Sequence, residues 1–335
     1  MTGFKMAEGY VSALSLRETQ AAIKFVKDTF QKELAAALHL ERISAPLFVT
    51  KDSGINDDLN GVERKVEFDI REGGVEAQVV QSLAKWKRMA LARYGMKVGE
   101  GLYTDMCAIR RDDDMDNDHS IYVDQWDWER VISAEDRSLA FLEGIVRNIV
   151  AALVNTKKRV TEKYPALHKE VCETLTVVSA QELEDRFPEL TPKQRETEIV
   201  RAHKTVLITG IGGALKSGEK HDGRAPDYDD WALNGDLLVW NEVLEQPIEL
   251  SSMGVRVDAE SLRAQLKICG AEDRMKYPYH QGIANGTLPL TVGGGIGQSR
   301  LCMYLLEKLH IGEVQASVWS DEILQAAKEN GIQLL

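Results

Sequence analysis

The sequence predicts an α+β fold, in which an antiparallel β-sheet is flanked by helices, because its candidate strands occur in pairs joined by short turns. Strands and helices do not alternate as they would in a parallel, doubly wound sheet. No repeat, low-complexity tract or Pro/Ser-rich linker divides the 335 residues. We therefore expect residues 1–335 to form a single domain, with residues 1–14 poorly ordered.

A long helix and an extended segment are the first predicted elements. Ser15 and Glu18 form a capping box, and the apolar stripe that follows them predicts a helix that ends at Leu38. Residues 40–50 are expected to be extended around Pro46, because proline prevents the helix from continuing.

A hairpin and a short helix are expected next. Candidate strands at 62–70 and 75–81 flank the turn sequence REGG. Ser82 is placed to cap the following helix, SLAKWKRMALARYG, which should end at Gly95 because glycine favours the end of a helix.

A second predicted hairpin carries the most unusual charged side chains. Its first strand is 101–110, and its second, 119–129, contains HSIYVDQWDWE after an Asp-rich turn. Alternation along a strand places Gln125, Asp127 and Glu129 on one face. Such a row of polar residues is unsuited to a core, so it forms either a solvated face or the floor of a polar binding site.

The second half of the chain is predicted to contain a long helix at 133–154 and shorter helices capped by Ser179 and by Thr191. The polar segment 224–231, RAPDYDDW, is expected to be a loop. The segment 206–213 is predicted to be a strand followed by glycines, and antiparallel strands are predicted at 236–241 and 248–257. The remaining predicted elements are a glycine-rich turn at 293–297, a helix at 298–309, a strand at 314–319 and a helix that begins at Ser320.

Composition argues against several classes of protein. The formal net charge is -12, and a diffuse negative surface repels phosphate backbones, so no nucleic-acid partner is expected. The four cysteines lack the spacing of a zinc site or a disulfide framework, which is typical of a reduced, cytoplasmic protein. No apolar run of about 18 residues or signal-peptide core is visible, so no membrane association is expected.

Three arginines lie where a nucleotide site could form. Arg110 ends the first strand of the charged hairpin, Arg300 ends the sequence GGGIGQSR, and Arg224 opens RAPDYDDW. A guanidinium group can hold a phosphate and an attacking carboxylate at reacting distance. The alternative for each arginine is an exposed ion pair, which contributes little energy.

Glycines and carboxylates extend this hypothesis. Adjacent glycines at 293–295 would let the backbone approach an adenine ring or a phosphate, or would form a tight turn against a neighbouring strand. The sequence lacks the Lys-Ser/Thr pair of a Walker A loop. Asp236 and Glu249, on successive predicted strands, could share Mg²⁺ or be two unrelated surface acids.

Together these sequences resemble the three signature motifs of class II aminoacyl-tRNA synthetases. The helix and strand that end near Pro46 are similar to the first motif, residues 110–129 to the second, and the glycine-rich stretch with Arg300 to the third. Within that fold, residues 15–320 resemble the ammonia-dependent asparagine synthetases, or aspartate–ammonia ligases, through SLAKWKR, GEGLYT, YVDQWDWE, RAPDYDDW, LNGD, ELSSMG and GGGIGQSR.

The resemblance implies a single catalytic domain with ATP-dependent ligase activity. L-Aspartate would attack the α-phosphate of ATP to give β-aspartyl-AMP and pyrophosphate, and ammonia would then displace AMP to give L-asparagine. The resemblance also implies Mg²⁺ beside the nucleotide and a homodimer with the first motif at its interface.

The resemblance assigns roles by motif position, beginning with Arg110, Asp57 and Gln125 as catalytic residues. L-Aspartate would be bound by Asp57, Ser82, Lys87, Gln125, Asp127, Ser252 and Arg256, in which Lys87 and Arg256 take its carboxylates. ATP would be bound by Arg110, Arg224, Asp229, Gly294, Gly295 and Arg300. Mg²⁺ would be held by Asp236 and Glu249, with assistance from Glu129. We further expect Asp57 to attract ammonium and to accept its proton.

Two other functions compete with the ligase interpretation. A tRNA synthetase would need an anticodon-binding domain, for which the predicted catalytic core leaves no room. A non-catalytic paralogue should have lost its phosphate arginines or metal acids, whereas Arg110, Arg300, Asp236 and Glu249 are all present. No glutaminase domain is visible, but the sequence leaves open whether glutamine can replace ammonia.

Overall fold

A computed structural model describes residues 4–59 and 63–335, in which most strands pair with the strand that precedes or follows them in the sequence. The strands are β1 Leu40–Arg42, β2 Phe48–Thr50, β3 Glu67–Ile70, β4 Val75–Val79, β5 Gly101–Ile109, β6 Tyr122–Val131, β7 Thr176–Ser179, β8 Thr205–Thr209, β9 Asp229–Asn241, β10 Gln246–Arg256 and β11 Thr291–Gly297. The α-helices are α1 Leu16–Leu38, α2 Ala84–Tyr94, α3 Leu139–Lys163, α4 Ala180–Arg186, α5 Pro192–His203, α6 Ala259–Ile268, α7 Pro278–Ala284, α8 Gln298–Leu305 and α9 Asp321–Glu329.

Eight of these strands form one sheet in the order β1-β5-β6-β11-β10-β9-β8-β7. The pairs are antiparallel except at the two edges, where β1 lies parallel to β5 and β7 lies parallel to β8. A second sheet has the order β2-β4-β3. The predicted α+β class, an antiparallel sheet flanked by helices, is confirmed.

The main core lies between one face of the large sheet, including β6, and helices α1, α3 and α8, and α1 packs along α3. Trp126 and Trp128 project from β6 into this core and are fully buried. The rings of Phe30 and Trp126 have centroids 5.0 Å apart. Since side chains alternate along a strand, Gln125, Asp127 and Glu129 of β6 project to the opposite face, where the site is built.

Helix α3 begins after the N-cap Ser138 rather than at Ser133 as predicted. Asp136 ties the intervening segment into a turn, because its carboxylate accepts hydrogen bonds from both the amide and the hydroxyl of Ser133 at 3.0 Å. By length and composition alone, α3 is long and apolar enough to cross a membrane, with a mean hydropathy of 1.4 in its most apolar window. Half of that window is buried inside the protein, as in a core helix.

The local capping signals are mostly confirmed. Capping boxes at Ser15, Ser179 and Thr191 begin α1, α4 and α5. Helix α2 ends at Gly95 as predicted, but its N-cap is Leu83, and Ser82 lies one residue earlier, where its hydroxyl accepts a hydrogen bond from the Ala84 amide at 3.1 Å.

Several predicted elements are wrong, chiefly where glycines or acids were interpreted as loops. Residues 293–297 belong to β11 and do not form a turn, and β9 begins inside RAPDYDDW at Asp229. Helix α8 ends at Leu305, and the predicted strand at 314–319 is not formed. Strand β3 begins at Glu67, and the start of the predicted strand at Val62 lies outside the described residues.

The N-terminal segment 4–14, which we expected to be poorly ordered, is fixed by contacts with the C-terminal region. The Tyr10 hydroxyl donates to Glu313 Oε2 at 2.9 Å. The Phe4 ring stacks on His310 with centroids 5.2 Å apart. Leu14 is buried in the main core.

The α1–β6 contact should dominate stability. Phe30→Ala would remove a fully buried ring and is expected to lower the free energy of unfolding by about 3–5 kcal/mol. Leu16→Ala, at a half-exposed position of the same helix, should change it by less than about 0.5 kcal/mol. Urea unfolding followed by circular dichroism would measure both, and equal effects would contradict this packing.

Candidate active site

Most of the residues predicted for the site line one cavity of about 440 Å³. These are Asp57, Ser82, Lys87, Arg110, Gln125, Asp127, Arg224, Asp229, Glu249, Ser252, Arg256, Gly294, Gly295 and Arg300. They come from segments far apart in the chain, and the sheet brings them together. Glu129 and Asp236 are not among the lining residues and lie behind them.

Strand β11 forms part of the cavity floor because it lacks bulky side chains there. Gly295 pairs with Asp127 of β6 on one side and with Ser252 of β10 on the other. A Cβ atom at Gly294 would lie 2.6 Å from Met253 Cβ, and one at Gly295 would lie 2.9 Å from Asp127 Oδ1. Gly294 is therefore required by the close approach of the β10 backbone, whereas a side chain at Gly295 would displace those of Gln125 and Asp127, and neither glycine serves a turn.

Arg110 and Arg300 face this cavity without an ion-pair partner among residues 4–59 and 63–335. Within the described part of the chain, the Arg110 guanidinium makes one hydrogen bond, a long one of 3.4 Å to the carbonyl of Gln81. Arg300 is held by two backbone carbonyls, those of Asp118 at 3.1 Å and Glu249 at 3.0 Å. Both guanidinium charges are therefore available to an anion in the same cavity.

The two cations predicted to take the carboxylates of aspartate are already paired with acids of the protein. Lys87 donates to Asp127 Oδ1 and to the carbonyl of Gly294, each at 2.9 Å. Arg256 donates to Asp229 and to both carboxylate oxygens of Glu129, with distances of 2.8–3.1 Å to Glu129. Burial lowers the pKa of Lys87, because the charged amine loses its hydration.

Glu129 does not fit its expected role as a metal ligand. Its side chain is fully buried, and it accepts hydrogen bonds from Arg256 and from the Thr291 hydroxyl at 2.7 Å. Burial alone would raise the pKa of Glu129, but Arg256 holds it below its usual value. Its carboxylate orients Arg256, and Asp229, which was expected to contact nucleotide, lines the cavity and pairs with the same arginine.

Asp236 and Glu249 form a second acidic group beside Arg224. Asp236 is buried and bonds to Arg224, whereas Glu249 lines the cavity. Burial, reinforced by Glu249, raises the pKa of Asp236 to about 7, although Arg224 opposes the shift. Two nearby carboxylates supply the oxygen ligands that Mg²⁺ prefers, so this donor set fits the ion.

Asp57 is buried at the edge of the cavity with one carboxylate oxygen available. Its Oδ1 accepts a hydrogen bond from the Leu59 amide at 3.1 Å, and its Oδ2 has no partner within the described ranges. Burial raises the pKa of Asp57, and Lys85 partly opposes this effect. An unpartnered, buried oxygen of this kind can accept a proton or bind a small cation.

Sequence reasoning missed a buried charged group behind Asp57. Lys85, Asp227 and His280 are almost fully buried, and Asp227 contacts the other two. RAPDYDDW was interpreted as a loop because it is polar. The partners that allow its acids to be buried come from distant parts of the chain, so no local pattern could reveal them.

Comparison with known proteins identifies the family. The aspartate–ammonia ligase family model matches residues 17–331. This chain belongs to the aspartate–ammonia ligase family. An aspartate–ammonia ligase from Clostridium perfringens is 56% identical over 329 residues, which cover 98% of each chain. Another, from Bacillus cereus, is 56% identical over 325 residues, which cover 97% of this chain and 99% of that protein.

Solved structures place this ligase-family member in the class II synthetase fold. Asparaginyl-tRNA synthetase from Pyrococcus horikoshii, complexed with asparaginyl-adenylate, superposes with a TM-score of 0.65 at 14% identity, over 90% of this chain and 70% of that one. Aspartyl-tRNA synthetase from Entamoeba histolytica superposes with a TM-score of 0.55 at 14% identity, over 90% of this chain and 57% of that one. The predicted resemblance to class II synthetases is confirmed.

The hairpin loop at the cavity mouth should contain a histidine that is charged at neutral pH. Partial desolvation of the ring, which is 45% exposed, opposes the charge, but hydrogen bonds to Asp116 and Asp118 raise the pKa of His119 to about 9. NMR titration of the ring should give a midpoint well above 6.5, and Asp116→Asn should lower it. Asp114→Asn, at an exposed position of the same loop, should not. A wild-type midpoint near 6.5 would contradict this assignment.

Proposed function

We propose that this ligase converts L-aspartate and ammonia into L-asparagine, with β-aspartyl-AMP as intermediate and AMP and pyrophosphate as by-products. The observation that carries the proposal is the shared cavity, in which Arg110 and Arg300 face the same space as Gln125 and Asp127. The first pair suits phosphates and the second suits an amino acid. A carboxylate and a nucleotide bound there would be held as reacting neighbours.

Positioning and charge neutralisation would supply most of the catalysis. A side-chain oxygen of aspartate attacks the α-phosphorus, and the bond to the pyrophosphate oxygen breaks. Arg110, which lines the cavity and has no ion-pair partner among the described residues, would bridge the carboxylate and the α-phosphate while negative charge accumulates. Ammonia then attacks the acyl carbon, the C–O bond to AMP breaks, and the nitrogen loses a proton.

The remaining lining residues divide between the two substrates. Aspartate would be bound by Asp57, Ser82, Gln125, Asp127, Ser252 and the charge-paired Lys87 and Arg256, with Asp127 near its ammonium. Arg224, Arg300 and the bare backbone at Gly294 and Gly295 would bind ATP, and Asp229 would act through Arg256. Asp236 and Glu249 would hold Mg²⁺, which neutralises phosphate charge when bound.

We also propose that residues 1–335 act as one catalytic domain in a cytoplasmic homodimer without nucleic-acid or membrane partners. The near-complete overlap with the Clostridium perfringens relative supports one unit, and the net charge of -12 argues against nucleic acid. Leu47 and Phe48, which follow Pro46 in the first motif, are about half exposed. Such exposed apolar side chains suit a subunit interface.

One assay separates this function from its alternatives. The purified protein is incubated with ATP, Mg²⁺ and aspartate, with ammonium or glutamine, and with or without tRNA. We expect asparagine and AMP in equal amounts with ammonium, independent of tRNA, and an Arg110→Met variant should lose at least about 100-fold in rate, the loss typical of removing a group that stabilises transition-state charge. Formation of ADP, or aminoacylation of tRNA without free asparagine, would contradict the proposal.

Asp57 is proposed to attract ammonium and accept its proton. Asp57→Asn should reduce the rate of asparagine formation by about 10²–10⁴-fold, the contribution usual for general base catalysis. Aspartate-dependent ATP–pyrophosphate exchange, which does not involve ammonia, should be reduced much less. Asp52→Asn, an exposed neighbour, is the control. A full amidation rate with normal aspartate binding in Asp57→Asn would exclude this role.

A further inference from the structure

We propose that Arg274 and Lys85, joined through the buried Asp227, are positioning residues that hold segment 54–58, and with it Asp57, against the cavity. This inference rests on the proposed function, because it concerns how the ammonia-handling carboxylate is held. None of the three residues belongs to the site as the sequence predicted it.

The centre of this arrangement is a carboxylate without access to water. Asp227 is 0% exposed, and its Oδ2 lies 3.0 Å from Lys85 Nζ, 2.9 Å from Arg274 Nη1 and 3.0 Å from His280 Nε2. Burial alone would raise the pKa of Asp227, but these partners hold it well below its usual value. Asp227 is therefore a fixed anion that orients the cations around it.

Both cations also reach the segment that contains Asp57. Lys85 Nζ donates to the backbone carbonyl of Asn56 at 3.3 Å, and Arg274 Nη2 pairs with Asp58 Oδ2 at 3.0 Å. The residues immediately before and after Asp57 are thus held by side chains that share one anion. These two bonds restrict the backbone of Asp57 from both sides.

Packing supplies a third, independent attachment. Gly54 has a φ of 65°, and a Cβ atom there would overlap the ring of Tyr277, lying 2.7 Å from its Cδ2. Tyr277 follows the 3-10 helix Glu272–Lys276, which contains Arg274. The start of the segment therefore lies directly on the turn whose arginine holds its end.

The attachment matters because a neighbouring side chain, Tyr228, lowers the pKa of the Asp57 carboxyl but does not fix its free oxygen. Its Oδ2 lacks a hydrogen bond within the described residues, although the side chain is buried and lines the cavity. A buried carboxylate remains unpartnered only if the surrounding backbone prevents it from turning into water. Loosening segment 54–58 should therefore weaken the binding of aspartate and ammonium but not of ATP.

Arg274→Gln tests the proposal without creating a large buried defect, because its side chain is 20% exposed. We expect KM for aspartate and ammonium to rise about tenfold, equivalent to ~1.4 kcal/mol, with KM for ATP and Tm nearly unchanged. Hydrogen exchange in a peptide covering 54–59 should become faster. Arg274→Lys should recover part of the loss, because it keeps the charge but not the two-armed geometry.

Arg263→Gln is the matched control, since it is the same substitution at an exposed arginine of α6 whose guanidinium donates to the backbone carbonyl of Ala259. If Arg274→Gln behaves like this control in both KM and hydrogen exchange, the proposal is wrong. A parallel rise in KM for all substrates together with a lower Tm would also overturn the proposal, because it would indicate a general loss of folding. If the wild-type protein makes no asparagine, the proposed function fails, while hydrogen exchange still decides whether Arg274 holds the segment.

Discussion

The site depends on one constraint of sheet geometry: β11 must pass between β6 and β10 without side chains on its middle residues. At Gly294 and Gly295 even a methyl group would collide with the neighbouring strands or with their side chains. Lys87 donates to the backbone carbonyl of Gly294 while it pairs with Asp127. The glycines therefore make the backbone itself part of the binding surface, at the centre of an otherwise rigid sheet.

Around this floor, the charged groups fall into two sets. Lys87 and Arg256 are buried and bonded to acids of the protein, and such pairs contribute little net stability because desolvation offsets their attraction. These ion pairs instead fix the orientation of the Lys87 and Arg256 side chains. Arg110 and Arg300 face the cavity without ion pairs among the described residues. Anions that enter are thus drawn to the second set, while the first set keeps the shape of the pocket.

Local sequence signals were sufficient to predict the elements whose structure is determined by residues close together in the chain. The capping box at Ser15 and the charged hairpin were predicted with nearly correct bounds, and the resemblance placed most site residues in one cavity. The failures have a common cause, which is dependence on distant partners. Glycines that pack between strands look like a turn, and Asp227 and Asp229 look like loop acids because Lys85 and Arg256 are far away in sequence.

The central claim is that one oxygen of aspartate passes to the α-phosphate within this cavity. Aspartate labelled with ¹⁸O in its side-chain carboxylate tests this directly, with mass spectrometry of the products of a reaction with ATP and ammonium. The account predicts one labelled oxygen in AMP and one in the amide of asparagine. Unlabelled AMP alongside labelled inorganic phosphate would contradict it, since the carboxylate would then have been activated at a different phosphorus.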